Sequence, residues 1–482
     1  MSEAASSRSP RDRRAMIAID LGAESCRVSL LRWLNGSPNI ELVHRHPNGP
    51  VSDNGELRWD LGQITQQMDA GLRKCAQIAT EGVRSIAADG WAVDYVRLDA
   101  SGRAIADPFC YRDERTIHSQ AAVFERIPAA RLRAITAIEM SRINTLYQLY
   151  ADPAQLQQKP WLTLPEYILH RLGGRAVGEY TNATHTQLVD AEKRSWSPEI
   201  FQATGLVQAA APPIVRPGTV IGELTGEQLD LRVLAGAALI APACHDTASA
   251  IAGIPDSGDD WAYISSGTWS LVGTVLREPI NGKEAQAADF TNQGAVGGRI
   301  CFHKNVNGMW LLRQCMTEWA AEIDWTIAEL IAAAGNFPQP GSVLDVDDPD
   351  LLLPGEMPAR INRQLRRRGL QPLAEGAEAA PKMTSLILHS LAARYREIVS
   401  SLAHITGKKL QRIYIVGGGS RNTLLNRLTA AATGLEVRCG AVESATIGNF
   451  AVQLAALEDS QPDGVEAATT AHWAQQLSSA IY

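Results

Sequence analysis

A strand, a short turn of glycine and small polar residues, and a returning strand occur once in each half of this chain, and that repetition limits what the chain can fold into. The first copy runs through Met16-Ile17-Ala18-Ile19-Asp20, turns over Leu21 to Ser25 and returns along Arg27 to Trp33. The second runs through Ala262-Tyr263-Ile264-Ser265, turns at Ser266-Gly267-Thr268 and returns along Trp269 to Val275. Short apolar runs bounded by turn residues read as strands joined in a hairpin. At 482 residues the chain is too long for one ordinary core. The pattern predicts two α/β lobes facing one cleft: an N-terminal lobe over 16–242 and a C-terminal lobe over 243–482, behind a disordered, locally basic tail at 1–15.

Further strands are expected at 85–88, 92–98, 235–243 and 413–416, and helices at 61–79, 116–136, 161–172, 385–405 and from 422. The helix at 385–405 is the best supported: Leu388, Leu391, Ala392, Tyr395, Ile398, Val399, Leu402 and Ile405 share one face. Segment 339–382, rich in Pro, Asp and Gly, reads as the least structured part. Within it, Arg366 to Arg368 followed by Gly369 look more like a last helical turn and its stop than an anion site. His44 and His46 read as members of a polar loop with no chemical role.

Composition excludes several classes of function. Lys plus Arg number 45 against 52 for Asp plus Glu, a net charge of −7, which argues against a main role on nucleic acid or an anionic membrane. No apolar run reaches the length of a membrane helix, and the first fifteen residues lack the apolar core of a secretory signal. The seven cysteines are odd in number and scattered, with no C-x-x-C spacing. A disulfide framework and a cysteine zinc site are both disfavoured, and a reducing, cytoplasmic setting is expected.

Three turns carry the chemistry. Backbone N–H groups converge on phosphate oxygens where small residues leave the main chain exposed. Asp20-Leu21-Gly22-Ala23-Glu24-Ser25-Cys26-Arg27 adds a carboxylate at a strand end, and a carboxylate beside phosphates calls for a divalent cation between them, here Mg²⁺ held by Asp20 through water. Ser265-Ser266-Gly267-Thr268 offers hydroxyls and free amides, and Gly417-Gly418-Gly419-Ser420 lies between a strand and a helix. No G-x-x-x-x-G-K-[ST] string and no G-x-G-x-x-G after a strand occurs, so P-loop and dinucleotide-binding folds are excluded. His245-Asp246-Thr247 follows the strand that closes the first half. Taken alone, Asp246 reads more readily as a helix N-cap than as a catalytic group. Set beside three phosphate turns, it supplies what phosphoryl transfer still lacks, a carboxylate to take the proton of an attacking hydroxyl.

In this order, D-L-G-x-x-S-x-R, H-D-T-A-S-A, S-S-G-T-W-S and V-G-G-G resemble the FGGY carbohydrate kinases of the actin and hexokinase-like ATPase superfamily. The likeness extends through Trp91 to Tyr95, Tyr111 to Thr116, Asn144 to Leu149, Glu179 to Thr184, Asn305 to Leu312 and Val416 to Asn426, from about residue 16 to 458. It implies two ribonuclease-H-like lobes that close on a sugar and ATP. It further implies transfer of a phosphoryl group to O1 of a ketose, L-rhamnulose first, with L-fuculose or a pentulose as the same-class alternatives. An inactive sugar-binding regulator on the same fold is the alternative from another class.

The resemblance casts Asp246 as general base, with His245, Thr247, Asn305 and the main chain near Ala92 on the sugar. Ala23, Glu24, Ser25, Cys26, Arg27, Thr268, Arg313 and Gly419 fall on the ATP side. A monomer or small homo-oligomer is expected. Against the family pattern, Cys26 and Ala92 stand where glycine is usual and Arg313 where glutamine is. If position 26 required a positive φ, its side chain would cost ~1 kcal/mol or more.

Overall fold

The computed structural model describes residues 10–225, 232–459 and 464–478. Of the tail expected at 1–15, residues 1–9 lie outside the described residues, while the Asp12 carbonyl accepts from Arg84 and Ala15 opens the first strand. Each predicted hairpin becomes the middle of a six-stranded mixed sheet.

The first sheet contains β1 (Ala15–Leu21), β2 (Ser25–Leu34), β3 (Ser37–Pro47), β4 (Val83–Gly90), β5 (Thr219–Glu223) and β6 (Ala238–Ala241), in the order β5-β6-β4-β1-β2-β3. Strands β1, β4 and β6 run parallel, and β1–β2–β3 is an antiparallel meander. β1 and β4 are buried along their full lengths, which is why both read as continuous apolar runs. The helix α1 (Asp246–Ala252) follows β6 closely, and its position carries Asp246.

The second sheet repeats the plan with β7 (Trp261–Ser266), β8 (Trp269–Leu276), β9 (Thr291–Gly294), β10 (Ile300–Asn307), β11 (Arg412–Val416) and β12 (Glu436–Cys439), in the order β9-β10-β8-β7-β11-β12. Helices α2 (Trp310–Trp319), α3 (Met357–Arg367) and α4 (Ala380–Thr406) cover it. The last two helices, α5 (Ser444–Glu458) and α6 (Ala467–Ser478), return to the first sheet. Ile447, Phe450, Val452 and Trp473 pack with Met16, Ala18, Leu31 and Ala87 in one buried cluster. The division between the halves is therefore not a single cut in the sequence.

Four local readings are corrected. His44 and His46 lie on β3, an edge strand with both faces partly exposed, and not in a loop. The helix expected at 116–136 is two, over 119–126 and 129–136, because Pro128 lacks the N–H a continuous helix requires. The run expected as helix from 161 begins as a strand, Trp161–Thr163, paired with Tyr95–Arg97, before the helix Leu164–Arg171. Segment 339–382 holds the regular helix α3, whose last turn contains Arg366 and Arg367 and which stops before Gly369 at φ 70°.

Candidate active site

Both lobes border a cleft of about 1590 Å³. Ala92, His245, Asp246, Thr247 and Asn305 all line it, so the five residues expected on the sugar are brought together. The residues expected on ATP lie outside this cavity.

Asp246 is not used as a cap. His245 occupies the N-cap position of α1, Asp246 is the first helical residue, and no side-chain capping bond forms there. The approach to α1 is fixed by buried groups: the Gly90 N–H donates to the Cys244 carbonyl, the Cys244 N–H to Glu179 Oε2 (2.8 Å) and the His245 N–H to Thr181 Oγ1 (3.1 Å). Burial raises the Glu179 carboxyl to about 8, with the hydrogen bonds from Thr181 and the Cys244 N–H acting in the opposite direction. The Asp246 carboxylate accepts from Thr247 Oγ1 (3.2 Å) and lies 3.4 Å from His245 Nε2. Its side chain keeps 37% of its surface open, toward the cleft. Withdrawal from bulk water raises its pKa to about 6, with the Thr247 hydrogen bonds and the Arg27 charge opposing. Burial also lowers His245 to about 4, so that imidazole is neutral at pH 7.

The first phosphate turn is tight and braced. A Cβ on Gly22 would stand 2.4 Å from the Ser25 carbonyl oxygen, and the Asn48 side chain donates to the Gly22 carbonyl (3.0 Å). Asp20 ends β1, buried, in parallel register with Asp89 on β4. Arg27 does not project freely at the turn: its Nη1 lies 2.6 Å from Asp20 Oδ2 and 3.6 Å from Glu443 Oε2. Burial lifts Asp20 to about 6, Arg27 opposing and Asp246 adding to the rise. Cys26 is not at positive φ; it is a core residue of β2, 1% exposed, with its thiol pushed up to about 12 by burial. The left-handed cost considered for it does not arise, and its side chain packs in the hydrophobic core of the first lobe.

Beyond this turn, Glu24 reaches across the lobes to Arg313 on α2 (3.0 Å), both side chains largely exposed. The Thr268 carbonyl accepts from the Trp310 N–H and anchors the start of α2. Gly419 is required by its neighbour: a Cβ there would fall 2.0 Å from Ser266 Oγ, so the second and third turns touch. Gly418 has no atom within 4 Å of such a Cβ and is the open position of the triplet.

Several site residues escape a reading of the sequence alone. Asp94 holds the Ala92 segment in place: its Oδ2 accepts from the indoles of Trp59 (2.6 Å) and Trp91 (3.0 Å) and from the Tyr111 N–H (3.2 Å), and its Oδ1 from Gln148 (2.9 Å). Val93, between them, adopts φ 74°, rare for a β-branched residue, and its carbonyl accepts from Thr145 Oγ1 (2.7 Å). Asp89 is fully buried; its Oδ2 accepts from Asn449 (2.6 Å) and Ser249 (3.3 Å) while Oδ1 has no partner among the described residues. Glu139 accepts from Asn305 Nδ2 (3.2 Å). Burial raises the pKa of Glu139, and its bond to Asn305 and the charges of Arg133 and Lys304 act in the opposite direction.

The N-terminal domain of the FGGY family of carbohydrate kinases matches residues 15–253, and the C-terminal domain of the same family matches 262–457. A rhamnulokinase of Bacteroides thetaiotaomicron is 36% identical over 441 residues, 90% of this chain and 89% of the relative. A rhamnulokinase of Enterococcus faecalis is 35% identical over 452 residues, 92% and 90% respectively. In three dimensions the chain is similar to a xylulose kinase from Lactobacillus acidophilus, with a TM-score of 0.78 at 16% identity over 96% of this chain and 92% of that one. Domain matches on both halves, and relatives above one-third identity along nearly the whole length, establish that this chain belongs to the FGGY family of carbohydrate kinases.

Proposed function

We propose that this carbohydrate kinase transfers the γ-phosphoryl group of ATP to O1 of L-rhamnulose, giving L-rhamnulose 1-phosphate and ADP, in the breakdown of L-rhamnose. The observation that carries the chemistry is Asp246, a carboxylate free of capping duty that opens onto a cleft between two lobes. The two rhamnulokinase relatives support the choice of sugar.

O1 of the ketose attacks the γ-phosphorus as the bond to the β,γ-bridging oxygen breaks, and the O1 proton passes to Asp246. With a pKa of about 6, Asp246 is mostly ionised at pH 7 and is a stronger base than an ordinary aspartate. His245 and Thr247 flank it on the sugar side, and Asn305 faces the sugar from the other lobe. The main-chain groups of Ala23 to Arg27, with Thr268 and the Gly418–Gly419 turn, take the nucleotide.

ATP-dependent kinases of this family generally need a divalent metal, and Mg²⁺ is the proposed ion. The residues fit a hydrated cation: Asp20 and Asp89 stand side by side at the ends of β1 and β4, and the buried Asp89 Oδ1 has no hydrogen-bond partner among the described residues. Asp20 is proposed to hold the ion through water, as a carboxylate at a strand end beside the phosphate turn. Bound with ATP, Mg²⁺ would offset phosphate charge.

Free thiols at all seven cysteines support a cytoplasmic setting, and no helix among the described residues is long and apolar enough to cross a membrane. The test is ADP release with Mg²⁺–ATP on L-rhamnulose, L-fuculose, L-ribulose and D-xylulose. The highest kcat/KM is expected on L-rhamnulose. A higher value on another ketose would reassign the substrate, and sugar binding without turnover would point to a regulator.

A further inference from the structure

Asn305 can present two chemically opposite atoms to a sugar, a carbonyl oxygen that accepts or an amide nitrogen that donates, and the two have nearly the same shape. It lies on β10 opposite Leu271, exposed in the cleft, and among the described residues its side chain makes one hydrogen bond, to Glu139 Oε2 at 3.2 Å. In that bond Asn305 Nδ2 donates and the carboxyl oxygen of Glu139 accepts. The atom facing Glu139 is therefore the NH₂ group, and Oδ1 is left for the cleft.

Glu139 is itself held in advance of any ligand. It sits in the segment joining the helices 129–136 and 145–151, and both of its backbone groups are engaged: its N–H donates to Thr291 Oγ1 (3.1 Å) and its carbonyl accepts from Asn144 Nδ2 (3.2 Å). Two residues earlier, the Ala137 carbonyl accepts from the N–H (3.2 Å) and the side-chain amide (3.0 Å) of Asn292 on β9. The carboxylate thus comes from the first half of the chain but is fixed against the sheet that carries Asn305. With its main chain anchored in this way, Glu139 offers the amide an acceptor that favours one of its two orientations.

We infer that Glu139 is a positioning residue for the sugar: by taking the Nδ2–H of Asn305 it makes Oδ1 the atom that accepts a hydroxyl of the ketose. The inference rests on the reading that Asn305 touches the sugar. It assigns this corner of the cleft to a hydroxyl that donates, and an analogue lacking that hydroxyl binds more weakly.

The test is an exchange of donor and acceptor, read as KM for the ketose, KM for ATP and kcat, with thermal unfolding as the control for folding. Glu139→Ala is expected to raise the ketose KM by about five- to ten-fold, the range of one lost hydrogen bond, with kcat and the ATP KM nearly unchanged. Glu139→Gln keeps an acceptor and holds KM within about three-fold of the wild type. Asn305→Asp sets two carboxylates together and raises KM by more than about ten-fold. In the double variant Glu139→Gln/Asn305→Asp the new amide donates to the new carboxylate, whose other oxygen still accepts, and KM returns to within about three-fold of the wild type. Failure of the double variant to improve on Asn305→Asp would overturn the inference, as would an unchanged KM in Glu139→Ala. Asn305→Ala separates the two levels: an unchanged ketose KM would remove the sugar contact itself, whereas a raised KM without rescue by the double variant would remove only the orientation by Glu139.

Discussion

The acid limb of the rate profile should belong to Asp246 and should move when its one hydroxyl partner is removed. The reaction needs the ionised carboxylate, so a pKa raised to about 6 means activity present at neutral pH and lost as pH falls through that value. Ionisation would drop from roughly 90% at pH 7 to roughly 10% at pH 5, whereas an unperturbed aspartate would remain more than about 90% ionised at both. Thr247 Oγ1 donates to Asp246 Oδ1 at 3.2 Å and favours the charged form. Replacing Thr247 by Val keeps the shape and removes that donor. One hydrogen bond of about 1 kcal/mol corresponds to about 0.7 pH unit, so the acid limb of kcat/KM should move upward by roughly half to one unit. The assay is coupled ADP release from pH 5 to 8 at saturating Mg²⁺–ATP, comparing the two proteins. Because the nucleotide titrates identically in both, the displacement isolates the protein group. An acid limb at the same pH in both, even with a raised KM, would refute the assignment of that limb to Asp246.

Asp246→Asn should retain sugar binding by calorimetry while kcat falls by about 10²- to 10⁴-fold; near wild-type turnover would remove the general base. Asp20→Ala should raise the Mg²⁺ concentration needed for half-maximal rate, and an unchanged Mg²⁺ titration would count against Asp20 as the outer partner of the cation. Gly419→Ala places a Cβ 2.0 Å from Ser266 Oγ, so denaturant unfolding should show a loss of about 1–3 kcal/mol, eased by a second change, Ser266→Gly. Equal stability of Gly419→Ala and the parent would show that the two turns do not pack as described.

The two hairpins were legible because strand periodicity and small turn residues are local signals, and Leu21 opposite Cys26 and Ser266 opposite Ser270 close them where the glycines predict. Asp246 was legible as a choice between cap and base, and only the structure, with His245 at the N-cap position and no side-chain capping bond there, shows that Asp246 does not cap the helix. Other features depend on contacts far apart in the chain. Asp89 is one acidic residue among many until parallel register sets it beside Asp20. Glu139 meets Asn305 across 166 positions. Nothing in the sequence pairs Arg27 with Asp20 and Glu443, the second of which lies far along the chain. His44 and His46 were mistaken for loop residues because an edge strand with both faces partly wet lacks the alternation by which strands are recognised.

The return of α5 and α6 to the first sheet has a consequence for the order in which the molecule is made. Met16, Ala18 and Ala87 leave the ribosome long before the Phe450 and Trp473 side chains that cover them. Until then one face of the nascent sheet has no cover, and Asp89 has no Asn449 to bond. The first sheet cannot bury this face until α5 and α6 have been made. A chain stopped before residue 444 would present that apolar face to chaperones and proteases, and separating the two halves at the start of β7 would not yield two self-sufficient lobes.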